Sequence, residues 1–431
     1  MRTRGERPAN ERLRAAALSV LAGDTPGGAA RGAGYPGVQS FRHECLLRLH
    51  ATVESLGLWR GRGRYRIHYG GPFDLHQTLG YLGRDANNLA ERVHGRRYQR
   101  WFPAAERLPR GASDIAAPLP RGTGNTAGCL REAPATPSGG AVWVELQLGE
   151  RFCTVVAQPP RSAEGALDLH ERLVRFLGLS QPLHAFYRAA GGHPVMGPLV
   201  RRFAGVRIPQ LPTLWEALCW AVVGQQINLA FAYRLRNRLI AVSHGLAPDA
   251  VPDEPLAFPE PRQVLRLRAG DLQALQFSRQ KTRYLLGLAQ TCHAGDLAGL
   301  EPGAAGASRP ICSGLAADLF RPRASARRLG GSAGSAVAPG GDPDWAAIEA
   351  RLLKQPGVGP WSAAYAMMRG LGYMDGLPVG DTGLRTALQR SFGLKRPPTA
   401  KDQEELMEPF RPYRGLATYY LWKSLAKATT D

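Results

Sequence analysis

The sequence predicts a two-part fold: an α+β N-terminal domain followed by an all-α region, with a disordered basic N-terminus and two low-complexity insertions. Three observations carry that expectation. Alternating, strand-like apolar runs occur before residue 181. Beyond Leu183 the apolar residues follow helical spacing instead. Stretches rich in Pro, Gly and Ala, without a core pattern, interrupt both parts. At 431 residues the chain is long enough for about two or three domains.

Residues 1–61 are rich in Arg, Gly and Ala with little sustained periodicity. Residues 104–140 and 301–342 are similar, and large apolar side chains are too few in all three to offset the entropy of ordering. Loops or disorder are expected there. The α+β domain is assigned to residues 62–182. Within it Tyr65, Ile67 and Tyr69 alternate as a strand does, and Pro72 opens a segment whose Phe73, Leu75, Leu79 and Leu82 suit a helix. The run VWVELQLGERFCTVVAQP reads as a hairpin joined at Gly149. Residues 164–180 place Leu167, Leu169, Leu173, Phe176 and Leu177 as an amphipathic helix would.

Residues 183–431 form the helical region. A long helical pattern, TLWEALCWAVVGQQINLAFAYRLRNRLIAV, breaks near Gly224. Residues 261–295 predict two short helices joined by a turn, and residues 344–372 a helix, a glycine turn and a second helix. Two more helices flank the segment between Pro409 and Pro412.

Charge narrows the partner. Lys and Arg total 55 against 35 Asp and Glu, a formal net charge of +20. Such an excess favours a polyanion, because basic side chains gain affinity by releasing counterions from phosphates. The six cysteines, Cys45, Cys129, Cys153, Cys219, Cys292 and Cys312, stand singly with no metal-ligand spacing, which argues against zinc or an iron–sulfur cluster. No apolar run reaches the length of a membrane span. Met1–Gly23 mimics a signal peptide faintly, but Glu6 and Glu11 interrupt its basic region. A cytoplasmic, nucleoid-associated protein is expected.

The most specific motif is Leu353-Lys354-Gln355-Pro356-Gly357-Val358-Gly359-Pro360-Trp361-Ser362-Ala363-Ala364. A helix stops at Pro356, Gly357 and Gly359 shape a tight turn, and Pro360 opens the next helix, where its missing N–H costs little. Such a turn exposes N–H groups at a helix N-terminus, a site for a phosphate. Pro356, Gly357, Val358 and Gly359 are therefore the candidate DNA-backbone hairpin. An ordinary helix–turn–helix packing unit is the competing reading. One helix further on, Asp381 in LPVGDTGLRTALQR stands at the mouth of another helix. It can cap that helix. A carboxylate beside a phosphate grip is electrostatically costly, which makes sense if it stabilises a cationic sugar.

The segments LWEALCWAVVGQQIN, LLKQPGVGPWSAAYAMMRGL and LPVGDTGLRTAL resemble the helix-hairpin-helix superfamily of base-excision DNA glycosylases, and within it the 3-methyladenine DNA glycosylase II branch. The likeness covers residues 183–300 and 343–427; residues 63–180 resemble that branch's N-terminal domain less specifically. The resemblance implies a monofunctional DNA glycosylase that hydrolyses the N-glycosidic bond of alkylated purines in duplex DNA and so begins base excision repair. It implies Asp381 as the catalytic carboxylate and Gln225 and Gln226 as the wedge that fills the gap behind a flipped nucleotide. It further implies a base pocket lined by Trp361, Tyr365 and Trp422, whose electron-rich faces suit a cationic base. Bifunctional relatives carry a Schiff-base lysine where this chain has Trp361, so strand cleavage is not expected.

No cofactor is expected, and no iron–sulfur cluster, since no cysteine follows Cys312. The one metal that the resemblance leaves open is a monovalent cation at the hairpin. The partner is double-stranded DNA with damaged bases, and a monomer is expected. Thr382 departs from relatives that have an aromatic residue there. Two competing readings remain: a non-catalytic helix-hairpin-helix module, which gives no role to Asp381 or the aromatic trio, and an oxidised-purine glycosylase, which the missing lysine disfavours.

Overall fold

The computed structural model describes residues 9–103, 141–158, 160, 162–300 and 343–425. The insertions expected at 104–140 and 301–342 lie outside the described residues, as do residues 1–8.

The N-terminal segment corrects the expectation of disorder. Residues 9–62 form four helices, α1 (Ala9–Ala22), α2 (Pro26–Gly32), α3 (Val38–Leu49) and α4 (Val53–Arg62). Thr25 and Thr52 cap α2 and α4 by accepting from Gly28 N and Ser55 N. In α1 the buried residues are Leu13, Ala16, Ala17, Val20 and Leu21, one face at helical spacing. Two of them are alanines, so a search for large apolar side chains passes over a face that packs by close approach instead. The basic residues are not free tails either: Arg14 of α1 donates to Glu171 at 3.2 Å.

The α+β domain follows. Strands β1 (Arg64–His68), β2 (Glu91–His94), β3 (Arg97–Pro103), β4 (Ala141–Leu148) and β5 (Phe152–Ala157) form one sheet in the order β1-β5-β4-β3-β2. All four pairings are antiparallel, with Tyr65 opposite Val155 and Trp101 opposite Trp143. The hairpin at Gly149 is β4–β5. Helix α5 (Leu75–Leu82) leaves β1, with Asp74 accepting from Gln77 N as its cap, and α6 (Ala163–Phe176) covers the sheet.

Among the described residues no strand follows α6. The helical region opens with α7 (Leu183–Ala190), α8 (Met196–Arg202), α9 (Leu214–Gly224) and α10 (Leu229–Ser243). Residues 261–295 hold three helices rather than two: α11 (Pro261–Val264), α12 (Ala269–Ala274) and α13 (Arg279–Ala294). Then come α14 (Trp345–Leu353), α15 (Pro360–Ala366), α16 (Thr382–Ser391), α17 (Ala400–Met407) and α18 (Arg414–Leu425). Helix α15 runs on as a π-helical turn, Met367–Leu371.

Two hydrophobic cores meet along α15. Ala363 and Ala366 pack into one with Leu218 and Leu288; Tyr365 and Met368 pack into the other with Ala417 and Tyr420. Between the sheet and the helices lies a buried charge network. Arg100 of β3 donates to Glu216 of α9 at 2.9 Å, and Arg236 of α10 donates to the other oxygen of Glu216 at 3.0 Å. Arg236 also reaches Asn88 Oδ1 at 2.7 Å. Among the described residues no helix is long and apolar enough to cross a membrane.

Candidate active site

The hairpin forms where the sequence places it. Gly357 has φ +74°, in the left-handed region that glycine enters without strain. It is also closed to larger residues, because a Cβ there would lie 2.3 Å from the ring of Tyr284 on α13. Val358 is buried beneath the turn, whereas Pro356 and Gly359 are exposed. Gly359 caps α15 in extended backbone, and a Cβ on it would meet nothing within 4 Å. Among the described residues nothing accepts from the N–H groups of Gly357 and Gly359. The turn therefore presents unpaired donors at a helix N-terminus, as an anion site needs. Its carbonyls at Gln355 and Gly357, where a monovalent cation was expected, already accept from Val358 N and Gln225 Nε2.

Asp381 is the N-cap of α16, its Oδ1 accepting from Leu384 N at 2.7 Å. Two indoles from other helices converge on the same carboxylate. Trp422 of α18 donates Nε1–H to Oδ1 at 2.9 Å, and Trp361 of α15 donates to Oδ2 at 3.1 Å. Three N–H donors thus fix the plane of the carboxylate. Of its roughly four lone-pair directions, one on Oδ2 stays open. Glycine again makes the approach feasible: a Cβ on Gly383 would sit 3.0 Å from Asp381 Oδ1 and 3.2 Å from Trp422 Nε1. The sequence reading did not single out this glycine.

The three aromatic candidates gather around that carboxylate. Trp361 stacks on Tyr365 with ring centroids 5.4 Å apart and planes 17° apart. Trp422 meets Tyr419 edge-on at 6.5 Å, and Tyr419 in turn meets Tyr81 of α5 at 6.0 Å. Trp361 and Trp422 are half-buried, while Tyr365 is buried.

The two glutamines part company. Gln225 turns inward, its Nε2 donating to Gly357 O at 2.8 Å and Ser362 Oγ at 3.1 Å, so it clasps the hairpin. Gln226 is exposed, with φ +56°. A left-handed conformation in a residue with a side chain is held by its surroundings, and such strain gathers at functional positions. Of the pair expected as a wedge, Gln226 alone stands outward.

Residues 219–412 match the HhH-GPD superfamily of base excision DNA repair proteins. The chain carries an HhH-GPD domain. Asp381, the hairpin, Trp361 and Tyr365 all lie within the matched segment, and Trp422 lies just past it. Among curated relatives, this chain is 28% identical over 259 residues to a DNA-3-methyladenine glycosylase of Bacillus subtilis strain 168, covering 59% of this chain and 73% of that protein. A putative DNA-3-methyladenine glycosylase of the same strain is 27% identical over 213 residues, or 49% of this chain and 59% of the relative. A solved 3-methyladenine DNA-glycosylase from Archaeoglobus fulgidus superposes with a TM-score of 0.57 over 83% of this chain and 97% of that one, at 17% identity. That likeness is one of fold. It extends beyond the HhH-GPD domain, so the sheet domain and the helical region share their arrangement with that neighbour.

One contributor was not legible in the HhH-GPD motifs. Helix α5 of the sheet domain brings Tyr81, and the turn just after it Arg84, to the far side of the aromatic group. The guanidinium of Arg84 lies 3.6 Å from the Tyr81 ring centroid, and that of Arg369, on the π-helical turn, lies 5.0 Å from it.

Proposed function

We propose that the protein is a monofunctional DNA glycosylase that hydrolyses the N-glycosidic bond of alkylated purines in duplex DNA. The observation that carries the proposal is the Asp381 carboxylate, fixed by Trp361, Trp422 and Leu384 beside a stacked aromatic pair and one helix away from a phosphate-type hairpin.

The hairpin grips the DNA backbone next to the lesion, and Gln226 enters the space that the extruded nucleotide leaves. The base enters among Trp361, Tyr365 and Trp422, whose rings attract a cationic alkylated purine. As the bond to the base lengthens, positive charge grows on the sugar, and the Asp381 carboxylate stabilises it by preorganised attraction. The bond's electron pair leaves with the base, which departs neutral if it was cationic. Water adds to C1′ and gives up its proton toward the open lone pair on Oδ2. Trp361 offers an indole where lyases of this kind carry an amine, so no Schiff base forms at this position.

The test is to incubate the protein with methylated duplex DNA and score free base and strand breaks separately. Release of methylated purines with an intact strand supports the proposal. Strand breaks that form at the rate of base release would remove the monofunctional part. Duplex binding with no base release from folded protein would favour a non-catalytic module.

A further inference from the structure

Arg369 is buried, 4% exposed, and carries no ion pair among the described residues. It stands in the π-helical turn directly after α15, and such turns are frequent at functional sites. Its guanidinium is held between two phenol rings, 5.0 Å from the Tyr81 centroid and 5.8 Å from the Tyr365 centroid. Nη1 donates to the Tyr81 hydroxyl. Nε is buried and has no hydrogen-bond partner among the described residues. A buried cation without an anionic partner is costly, and each unmet N–H adds to that cost. Tyr365 belongs to the aromatic group around Asp381, so the guanidinium, with its unmet Nε–H, stands against one wall of the pocket that the proposed function assigns to the flipped base.

We infer that Arg369 is a specificity-determining residue that reads the C6 substituent of the flipped purine and favours a carbonyl there over an amino group. The inference rests on the function proposed above. A guanidinium has donors only and no acceptor. A 6-oxo purine offers a carbonyl oxygen that accepts from it, whereas a 6-amino purine sets donor against donor. Sites built around a buried polar group discriminate strongly, because the wrong ligand leaves that group unmet. Tyr81 acts as a positioning residue, since its hydroxyl fixes one edge of the guanidinium. The sheet domain, through α5, would thereby help set the substrate range.

The test compares 7-methylguanine with 3-methyladenine. Both nucleosides are cationic, so net charge cancels in their ratio, and the change in that ratio on replacing Arg369 reports its preference at C6. Single-turnover excision of each, from duplexes with one defined lesion, is measured for the wild-type protein, Arg369→Met, Arg369→Lys and Tyr81→Phe. Circular dichroism and thermal unfolding confirm that each variant is folded. The expected result is a fall of about tenfold in the 7-methylguanine to 3-methyladenine ratio for Arg369→Met, as for loss of a hydrogen bond to a charged group. Arg369→Lys and Tyr81→Phe should give smaller falls in the same direction. Rates that drop equally for both lesions would overturn the inference and leave Arg369 a packing residue. If the wild-type protein releases neither base, the proposed function fails. Arg369 is then tested by the ratio of Kd values for duplexes bearing the two lesions, where an unchanged ratio in Arg369→Met overturns it.

Discussion

The indole of Trp422 donates to Asp381 Oδ1 at 2.9 Å although the two residues belong to different helices and stand 41 positions apart. With Trp361 on Oδ2, it ties α15, α16 and α18 to one carboxylate. A cap alone needs the single bond from Leu384 N. The two further indole donors hold the carboxylate beside the aromatic group, which a helix cap alone does not require.

The hairpin glycines should fail in different ways. Gly357→Ala meets both a left-handed φ and the Tyr284 ring, so it is expected to lower stability by about 1–3 kcal/mol. Gly359→Asn faces open space and retains capping chemistry, but its side chain covers the first-turn N–H groups. Stability should hold, while affinity for every duplex falls about tenfold, since phosphate contacts carry no sequence information. Thermal unfolding and duplex titration separate the two.

Gln225→Ala removes two hydrogen bonds to the hairpin and should cost about 1–3 kcal/mol in stability. Gln226→Ala removes an exposed side chain and should leave stability within about 0.5 kcal/mol. Its effect is expected in nucleotide extrusion, read by the fluorescence of 2-aminopurine placed beside the lesion.

Much of this organisation was legible, and the exceptions have physical causes. Strand β1, the β4–β5 hairpin and the helices of the second half follow apolar periodicity. Strand β3 does not, because its buried residues include Arg100 at 1% exposure. A core arginine looks polar in sequence, and the Glu216 that neutralises it lies 116 residues away. The α1 face was missed because alanines make up much of it. The sequence singles out Asp381, Trp361 and Tyr365 from two local motifs, and the structure brings the three side chains together. Arg369 was not, since its partner Tyr81 is 288 residues distant, in another domain.

Glu216→Gln should expose the worth of that charge network. Among the described residues it leaves Arg100 and Arg236 buried with Glu91, 3.4 Å from Arg100, as the one remaining carboxylate partner. A loss of about 3–5 kcal/mol is expected, which calorimetry of the wild-type and variant proteins would measure.

Acid should destabilise the N-terminal part. Burial first, then nearby Arg207, lowers His50 to about 4; burial lowers His170 to about 4 as well. Both are neutral in the fold and titrate near 6.5 when unfolded, so the unfolded chain binds more protons between those values. Stability is therefore full above pH of about 6.5 and falls toward pH 4, by up to about 3 kcal/mol for each histidine. Denaturant titrations across that range would show the decline, which His170→Gln should reduce.

In the proposed reaction Asp381 performs the chemistry. The most direct measurement is single-turnover release of methylated purines by wild-type protein and by Asp381→Asn. Asparagine still caps a helix, so the variant should fold and bind duplex DNA normally. A loss of about two to four decades in release rate is expected if Asp381 carries the chemistry. Release within a few-fold of wild type, from equally folded protein, would contradict it.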